Sequence, residues 1–142
     1  MSKQIKSKER VSRFAEVFTA EREVKAMCDL VLQETERIDS RFLEPACGNG
    51  NFLVEILERK LSRCENAEQG LTALKSIYGI DIQRDNVEES KLRLFDIFVK
   101  HFPKAPATTG LEAAAILENN IICGNSLEIM KEMEDENEVP IL

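Results

Sequence analysis

Short apolar runs alternate with stretches of helical spacing along most of the chain. Three of these runs are almost continuously apolar and lie between turn-forming residues, at residues 41–47, 76–82 and 120–123. Continuous apolar runs of this length are typical of strands that are buried on both faces. Within the first run the strand is expected to end at Pro45, and the glycine-rich turn 48–50 follows the run. The pattern therefore predicts three short buried strands.

The segments around these strands repeat apolar residues at intervals of three and four, which indicates amphipathic helices. We expect a first helix from Phe18-Thr19 onward, with Thr19 as its cap. We also expect a loop over residues 103–110, a short helix over 111–117 and a last amphipathic turn or two after 126. The apolar positions of the three longer helices are Val24, Met27, Cys28 and Val31, then Phe52, Leu53, Ile56, Leu57 and Leu61, then Val87, Leu94, Phe95, Phe98 and Phe102.

The order of elements is helix, strand, helix, strand, helix, strand. Buried strands that alternate with amphipathic helices predict an α/β fold with a parallel sheet and right-handed crossovers. Three strands make about half of a doubly wound sheet, whose ligands bind beyond the carboxyl ends of the strands. The loops 44–51, 81–86 and 123–126 all fall at that edge.

Composition describes one globular domain. The chain has 142 residues, of which 43% are hydrophobic and 32% charged, and its net charge is −7, values that exclude a disordered protein and leave room for one core. Residues 1–13 carry five basic groups against Glu9, a net of +4. We interpret residues 1–17 as a basic arm or helix. Exposure of this segment to solvent is a simpler explanation of its charge than binding to phosphates. Since the domain is acidic, we expect no strong unaided binding to nucleic acid.

The cysteines indicate neither a metal site nor disulfides. Cys28, Cys47, Cys64 and Cys123 form no C-x-x-C pair, and His101 is the single histidine. We expect four free thiols and no metal. No apolar run approaches the ~20 residues that span a bilayer, and the amino terminus does not resemble a secretory signal. We therefore expect a cytoplasmic protein with no membrane contact.

The strongest candidate site is the segment 44–52, which reads EPACGNGNF. Two glycines in a strand-to-helix turn let the backbone approach a ligand, and a helix amino terminus favours anions, although a tight turn alone also needs glycine. Leu53 stands where a dinucleotide site has a third glycine, which disfavours NAD, and no P-loop string occurs. The carboxylate of Glu44 fits a cationic amino group, which an amino-acid-bearing cofactor has. We interpret Cys47 as a structural thiol.

Two further polar residues are candidates, one at the end of the second strand and one in the turn after the third strand. Asp81 is placed to accept both hydroxyls of a ribose, although it can also cap the following helix. Asn125 is placed to meet an adenine edge, and the alternative is a polar turn that caps the last helix.

These segments together resemble the S-adenosylmethionine-dependent DNA methyltransferases that modify the N6 amine of adenine in restriction–modification systems. Residues 44–52 resemble their cofactor motif, 16–20 (EVFTA) their amino-terminal F-T-P motif, 78–82 (YGIDI) their ribose-binding strand, and 124–127 (GNSL) a segment usually read G-D-[SA]-L. Ala20 replaces the usual proline and Asn125 the usual acid. The match covers residues ~10–128.

The resemblance implies a Rossmann-like methyltransferase fold, of which residues 1–142 form the amino-terminal, cofactor-binding part. It implies S-adenosylmethionine as cofactor and transfer of its methyl group to a flipped adenine. It also implies that DNA is bound by regions that follow this part. The cofactor-binding residues it implies are Phe18, Thr19, Glu44, Pro45, Ala46, Cys47, Gly48, Gly50, Asp81, Ile82 and Asn125.

The family's catalytic motif, [DNS]-P-P-[YFW], does not occur, because no two of the four prolines are adjacent. We therefore expect no catalytic residue in this chain and no methyl transfer by the chain alone. Alternatives are a cofactor domain that acts on RNA or protein, or a noncatalytic interaction module that self-associates through an open sheet edge. An NAD-linked oxidoreductase is disfavoured.

Overall fold

A computed structural model describes residues 21–30 and 37–136 of the chain. The sequence-predicted alternation of helices and strands is present in it. The elements are α1 (Glu21–Leu30), β1 (Phe42–Glu44), α2 (Asn51–Leu61), α3 (Ala67–Lys75), β2 (Ile77–Asp81), α4 (Arg84–His101), α5 (Ala107–Asn120), β3 (Ile121–Cys123) and α6 (Ser126–Glu136). In these residues no helix is both long and apolar enough to cross a membrane.

The three strands form one parallel sheet in the order β1-β2-β3. Phe42 is in register with Ile77, and Gly79 with Ile121. The expectation of an α/β fold with three parallel strands and flanking helices is confirmed, and this three-stranded sheet is compatible with a Rossmann-like fold. The strands are shorter than their apolar runs, since only β2 exceeds three residues.

Helices α2 to α5 pack on one face of the sheet. Register partners share a face, so Phe42, Ile77 and Ile121 point to the same side. Buried residues of α2, α4 and α5 belong to the same apolar cluster as these three. Both crossovers therefore lie on one side, as right-handed connections require when the strand order runs in one direction. The members of this core on α2 and α4 are Leu53, Ile56, Leu57, Leu61, Val87, Leu94 and Phe98.

Two helices differ from the sequence expectation. Helix α3 was not predicted, although Asn66 caps it by accepting a hydrogen bond from the Gln69 amide at 2.9 Å. Helix α5 begins at Ala107 inside the predicted loop and ends at Asn120, beyond the predicted 111–117. Pro106 is its cap residue in an extended conformation, and Gly110 lies within the helix without ending it.

Helix α1 is held against α2 by Arg59. The Arg59 guanidinium pairs with Asp29 at 2.8 Å and with Glu55 at 2.9 Å. Val24 and Cys28 of α1 are buried in the core, as the helical pattern predicted. The start of the helix at Phe18-Thr19 and its apolar position Val31 lie outside the described residues.

Lys60 of α2 is fully buried at the amino-terminal edge of the sheet. Its ammonium group donates to the Ser76 hydroxyl at 2.9 Å, to the Ser40 hydroxyl at 3.2 Å and to the Ser40 carbonyl. It also lies 5.2 Å from the ring centre of Phe42. A buried lysine needs such partners because losing water is costly for an ammonium group. Lys60 therefore ties α2 to the segments that precede β1 and β2.

Candidate functional site

The carboxyl ends of the three strands lie together at one edge of the sheet. Glu44 is in register with Gly79, and Asp81 with Cys123. The Gly124 amide donates to the Asp81 carbonyl at 3.0 Å, which ties the third loop to the second. The structure thus brings loops 44–51, 81–86 and 123–126 to the edge where the sequence predicted them.

A tight turn connects β1 to α2 at this edge. The Gly50 amide donates to the Cys47 carbonyl at 3.0 Å, and Gly48 and Gly50 have φ of 57° and 94°. These are left-handed conformations that a side chain would strain. A Cβ on Gly50 would also lie 3.0 Å from the Ser90 hydroxyl. Both glycines are therefore required by the turn itself.

Helix α2 begins immediately after this turn. Its cap residue is Gly50, and within the described structure no side chain caps it. The first turn of α2 contains no acidic residue either. The amino end of α2 therefore presents backbone amides and the positive end of the helix dipole at the sheet edge, an arrangement that favours an anionic ligand group.

Asp81 is the centre of the hydrogen-bond network at this edge. Its Oδ2 accepts from the Gly48 amide at 3.0 Å. Its Oδ1 accepts from the Gln83 amide at 2.8 Å and from the Asn86 side chain at 3.3 Å. Asp81 is 6% exposed. It therefore fixes the glycine turn against β2. Asp81 also satisfies the amide of Gln83, the residue before α4, but in the described residues α4 has no side-chain cap hydrogen bond, so the capping role considered in the sequence analysis is not observed.

Glu44 lies half-buried at the end of β1. Its Oε1 accepts from the Ala46 amide at 3.0 Å. Burial raises the pKa of the Glu44 carboxyl above its usual range; the bond from Ala46 opposes this rise, and the negative charge of Asp81 adds to it. The positive charge of a cation beside Glu44 would offset both the cost of desolvating its carboxylate and the repulsion from Asp81. The site is therefore suited to a positively charged ligand group.

Ile82 and Asn125 are exposed to solvent at the same edge of the sheet. Ile82 is 53% exposed, although it follows a buried strand. The Asn125 amide oxygen accepts from the Glu128 amide at 3.2 Å, so Asn125 caps α6. That cap uses one of the two lone pairs of the oxygen and leaves Asn125 exposed.

Cys47 is buried and inert. It is 4% exposed, and burial, with a further contribution from Asp81, raises the pKa of its thiol to about 12. The expectation of a structural thiol fits this environment, because the reactive form is the thiolate. All four cysteines are free, as predicted. Among the described residues no group of three or more His, Cys, Asp or Glu side chains is arranged for a metal ion.

The remaining residues of the predicted site divide into two groups. Pro45 is half-buried and Ala46 exposed, both in the loop that follows β1. Phe18 and Thr19, which were predicted to border the cofactor, lie outside the described residues.

The sequence analysis missed two residues of α4 that contact the glycine turn. The Ser90 hydroxyl donates to the Gly48 carbonyl at 3.0 Å. Arg93 donates to the Asn49 carbonyl at 2.9 Å and to the Asn51 side chain at 2.8 Å. Ser90 could have been found from its position on the apolar face of α4, because a small polar residue that is buried there needs a hydrogen-bond partner.

Comparison with known proteins finds a related sequence. The chain is 31% identical over 108 residues to a Methanocaldococcus jannaschii protein named "Putative type II restriction enzyme and methyltransferase RM.MjaORFECS2P". The alignment covers 68% of this chain and 9% of that protein. No protein-family profile matches the chain, and no solved structure matches it significantly.

Proposed function

We propose that this chain is the S-adenosylmethionine-binding, amino-terminal part of a DNA adenine-N6 methyltransferase of a restriction–modification system. The observation that carries the proposal is the glycine turn, which lies between Glu44 and Asp81 at the carboxyl edge of a parallel sheet. The name of the related M. jannaschii protein, which combines a restriction enzyme with a methyltransferase, supports it independently.

The residues of the edge fit the chemical parts of this cofactor. Glu44 would hold the ammonium group of its amino-acid portion, which neutralises a carboxylate that is costly to bury. The amino end of α2, which has no side-chain cap in the described residues, would face the cofactor's carboxylate. Ile82 and Asn125 would border the adenine, one through an exposed apolar side chain and the other through its amide. When bound, the cofactor supplies an electrophilic methyl group on a sulfonium.

Asp81 would accept the ribose hydroxyls. A carboxylate offers about four lone-pair positions, and three protein donors already use three of those on Asp81. One hydroxyl can therefore be added directly. A second requires one donor to leave, and the longest of the three bonds is that from Asn86 at 3.3 Å. Asp81 thus combines a structural role in the turn with the proposed binding role.

We propose that other parts of the enzyme supply the chemistry on DNA. The chain contains no adjacent prolines and hence no [DNS]-P-P-[YFW] motif. The base would be held, and its amine oriented toward the methyl group, by a segment that this chain does not contain. We also propose a cytoplasmic location, and self-association through an edge of β1 or β3, which are the outer strands of the sheet in the described part of the chain.

Calorimetric titration of the 142-residue chain with S-adenosylmethionine tests the proposal, with NAD as the control ligand. We expect saturable binding of S-adenosylmethionine and none of NAD. Glu44→Gln should weaken binding about ten- to hundredfold, since a hydrogen bond to a charged group contributes about 1.5–3 kcal/mol. The variant keeps an oxygen for the Ala46 amide, so its fold should be intact.

Glu58→Gln is the matched control, because Glu58 is an exposed carboxylate on α2 and its removal should leave the affinity unchanged. A folded wild-type chain that binds neither ligand would contradict the proposal and favour a noncatalytic interaction module. Equal affinity of the wild-type and Glu44→Gln chains would show that Glu44 does not hold the ammonium group.

A further inference from the structure

Helix α4 contacts the glycine turn in addition to β2. Ser90 is fully buried, and its hydroxyl donates to the Gly48 carbonyl at 3.0 Å. Gly50 lies so close to the backbone of Ser90 that an added Cβ would come within 3.3 Å of its Cα. Asp81 holds the amide of Gly48, and Ser90 holds its carbonyl. Both backbone groups of this left-handed residue are therefore fixed.

Arg93 lies one turn further along α4 and reaches the other half of the same turn. One nitrogen of its guanidinium, Nη1, donates to the Asn49 carbonyl at 2.9 Å and to the Asn51 side-chain oxygen at 2.8 Å. Asn51 is the first residue of α2. Arg93 thus joins the turn to the beginning of the helix and places a positive charge beside the amino end of α2.

Arg93 contributes to this turn more than to the core. Helices α2 and α4 pack through Ile56, Leu57, Leu94 and Phe98, which are all buried. Arg93 itself is half-buried, as is Asn49, so water can replace the guanidinium at the Asn49 carbonyl. We therefore expect loss of Arg93 to loosen residues 49–51 while the sheet and its helices remain folded.

We propose that Arg93 is a positioning residue that fixes residues 49–51 for the carboxylate of an amino-acid-bearing ligand at the amino end of α2. The inference rests on the proposed function, and it specifies which part of the cofactor depends on α4. The positive charge of Arg93 acts in the same direction as the dipole of α2, since both favour an anion at the amino end of this helix. The nucleoside portion lies with Asp81 and Ile82 and does not depend on Arg93.

Two ligands separate these portions. S-adenosylhomocysteine carries the amino acid, whereas 5′-methylthioadenosine has the same nucleoside and a thioether but no amino acid. We expect Arg93→Gln to weaken binding of S-adenosylhomocysteine by about tenfold, the effect of one charged hydrogen-bonding group, and to leave methylthioadenosine within about twofold. Arg93→Lys keeps the charge but loses the rigid fork, and its effect on S-adenosylhomocysteine should be smaller.

Lys100→Gln is the matched control, because it removes a cation from the same helix. Lys100 is exposed, pairs with Asp96 at 2.9 Å and lies away from the turn. We expect both ligands to bind this variant as they bind the wild type. Thermal unfolding of each variant, measured without ligand, checks that the fold is retained.

The possible results have different meanings. An equal loss of affinity for both ligands in Arg93→Gln would assign Arg93 a general structural role and overturn the inference. Unchanged affinity for both ligands would overturn it as well, while the proposed function would stand. A wild-type chain that binds neither ligand would remove the proposed function itself, and this inference with it.

Discussion

Glu44 shows how one side chain can be unfavourable for the fold and useful to the site. Its carboxyl is half-buried and lies near the charge of Asp81, and both burial and that charge raise its pKa. The hydrogen bond from the Ala46 amide acts in the other direction. A group whose ionised form is destabilised in the folded protein lowers stability at neutral pH. In the proposed site, the ligand's ammonium group offsets this cost.

The pH dependence of stability follows from the direction of this pKa change. Between the ordinary pKa of Glu44 and its raised value, the folded protein binds more protons than the unfolded chain, so stability falls as pH rises. We expect Glu44→Gln to be more stable than the wild type at pH 7. The two should converge below about pH 4, where the carboxyl is protonated in both states. Urea unfolding at several pH values measures the difference.

A difference between Glu44→Gln and wild type that was constant across this pH range would contradict the assignment, since it would not arise from ionisation.

At the scale of elements, the packing of α2 on β2 depends on a position without a side chain. A Cβ on Gly79 would lie 2.6 Å from Cδ1 of Leu53 and 3.1 Å from Cβ of Cys47. Leu53 and Cys47 are both buried, so neither can move into solvent. This close approach sets the distance between helix and sheet. It therefore also sets the position of the glycine turn at the beginning of α2.

Gly79→Ala should separate α2 from β2. We expect a loss of about 1–3 kcal/mol in the free energy of unfolding, the usual cost of an added methyl group in a packed core. Gly110→Ala is the control, because a Cβ there meets no atom within 4 Å and the residue lies within α5. That change should stabilise the protein by about 0.4–1 kcal/mol. Denaturant unfolding of the two variants measures the change in the free energy of unfolding for each. No change in Gly79→Ala would show that the packing of α2 on β2 adapts to the added methyl group.

At the scale of the whole molecule, the site is assembled from segments that are far apart in sequence. The bond from Gly48 to Asp81 spans 33 positions, and the bond from Arg93 to Asn49 spans 44. The core that brings these segments together also encloses two of the four cysteines, Cys28 and Cys47. Their protection therefore reports on the assembled fold.

Alkylation of the native protein measures that protection. Burial raises the pKa of Cys28 to about 11 and that of Cys47 to about 12, so at pH 8 almost no thiolate is present at either position. We expect iodoacetamide to modify the half-buried Cys64 and Cys123 first. All four should react in denaturant, and peptide mass spectrometry identifies each site. Labelling of native Cys47 as fast as Cys123 would contradict the described core.

Much of the architecture was predictable because it depends on local patterns. The apolar runs located all three strands, and the spacing of Leu53, Ile56 and Leu57 located α2. Helix α3 was missed although Asn66 caps it, and the start of α5 was placed too late because Pro106 and Gly110 read as loop residues. In both cases packing on neighbouring helices outweighs a weak local signal.

The sequence by itself determined that polar residues lie at or just after the carboxyl ends of three parallel strands, because strand and helix periodicity are properties of neighbouring residues. It also indicated the glycine turn, since few residue types tolerate positive φ. Only the tertiary structure decided what holds that turn. Ser90 and Arg93 contact it from more than 40 residues away in the sequence. The carboxylate of Asp81 accepts three hydrogen bonds from protein donors. Such contacts depend on how α4 lies against α2, and no local pattern encodes that arrangement.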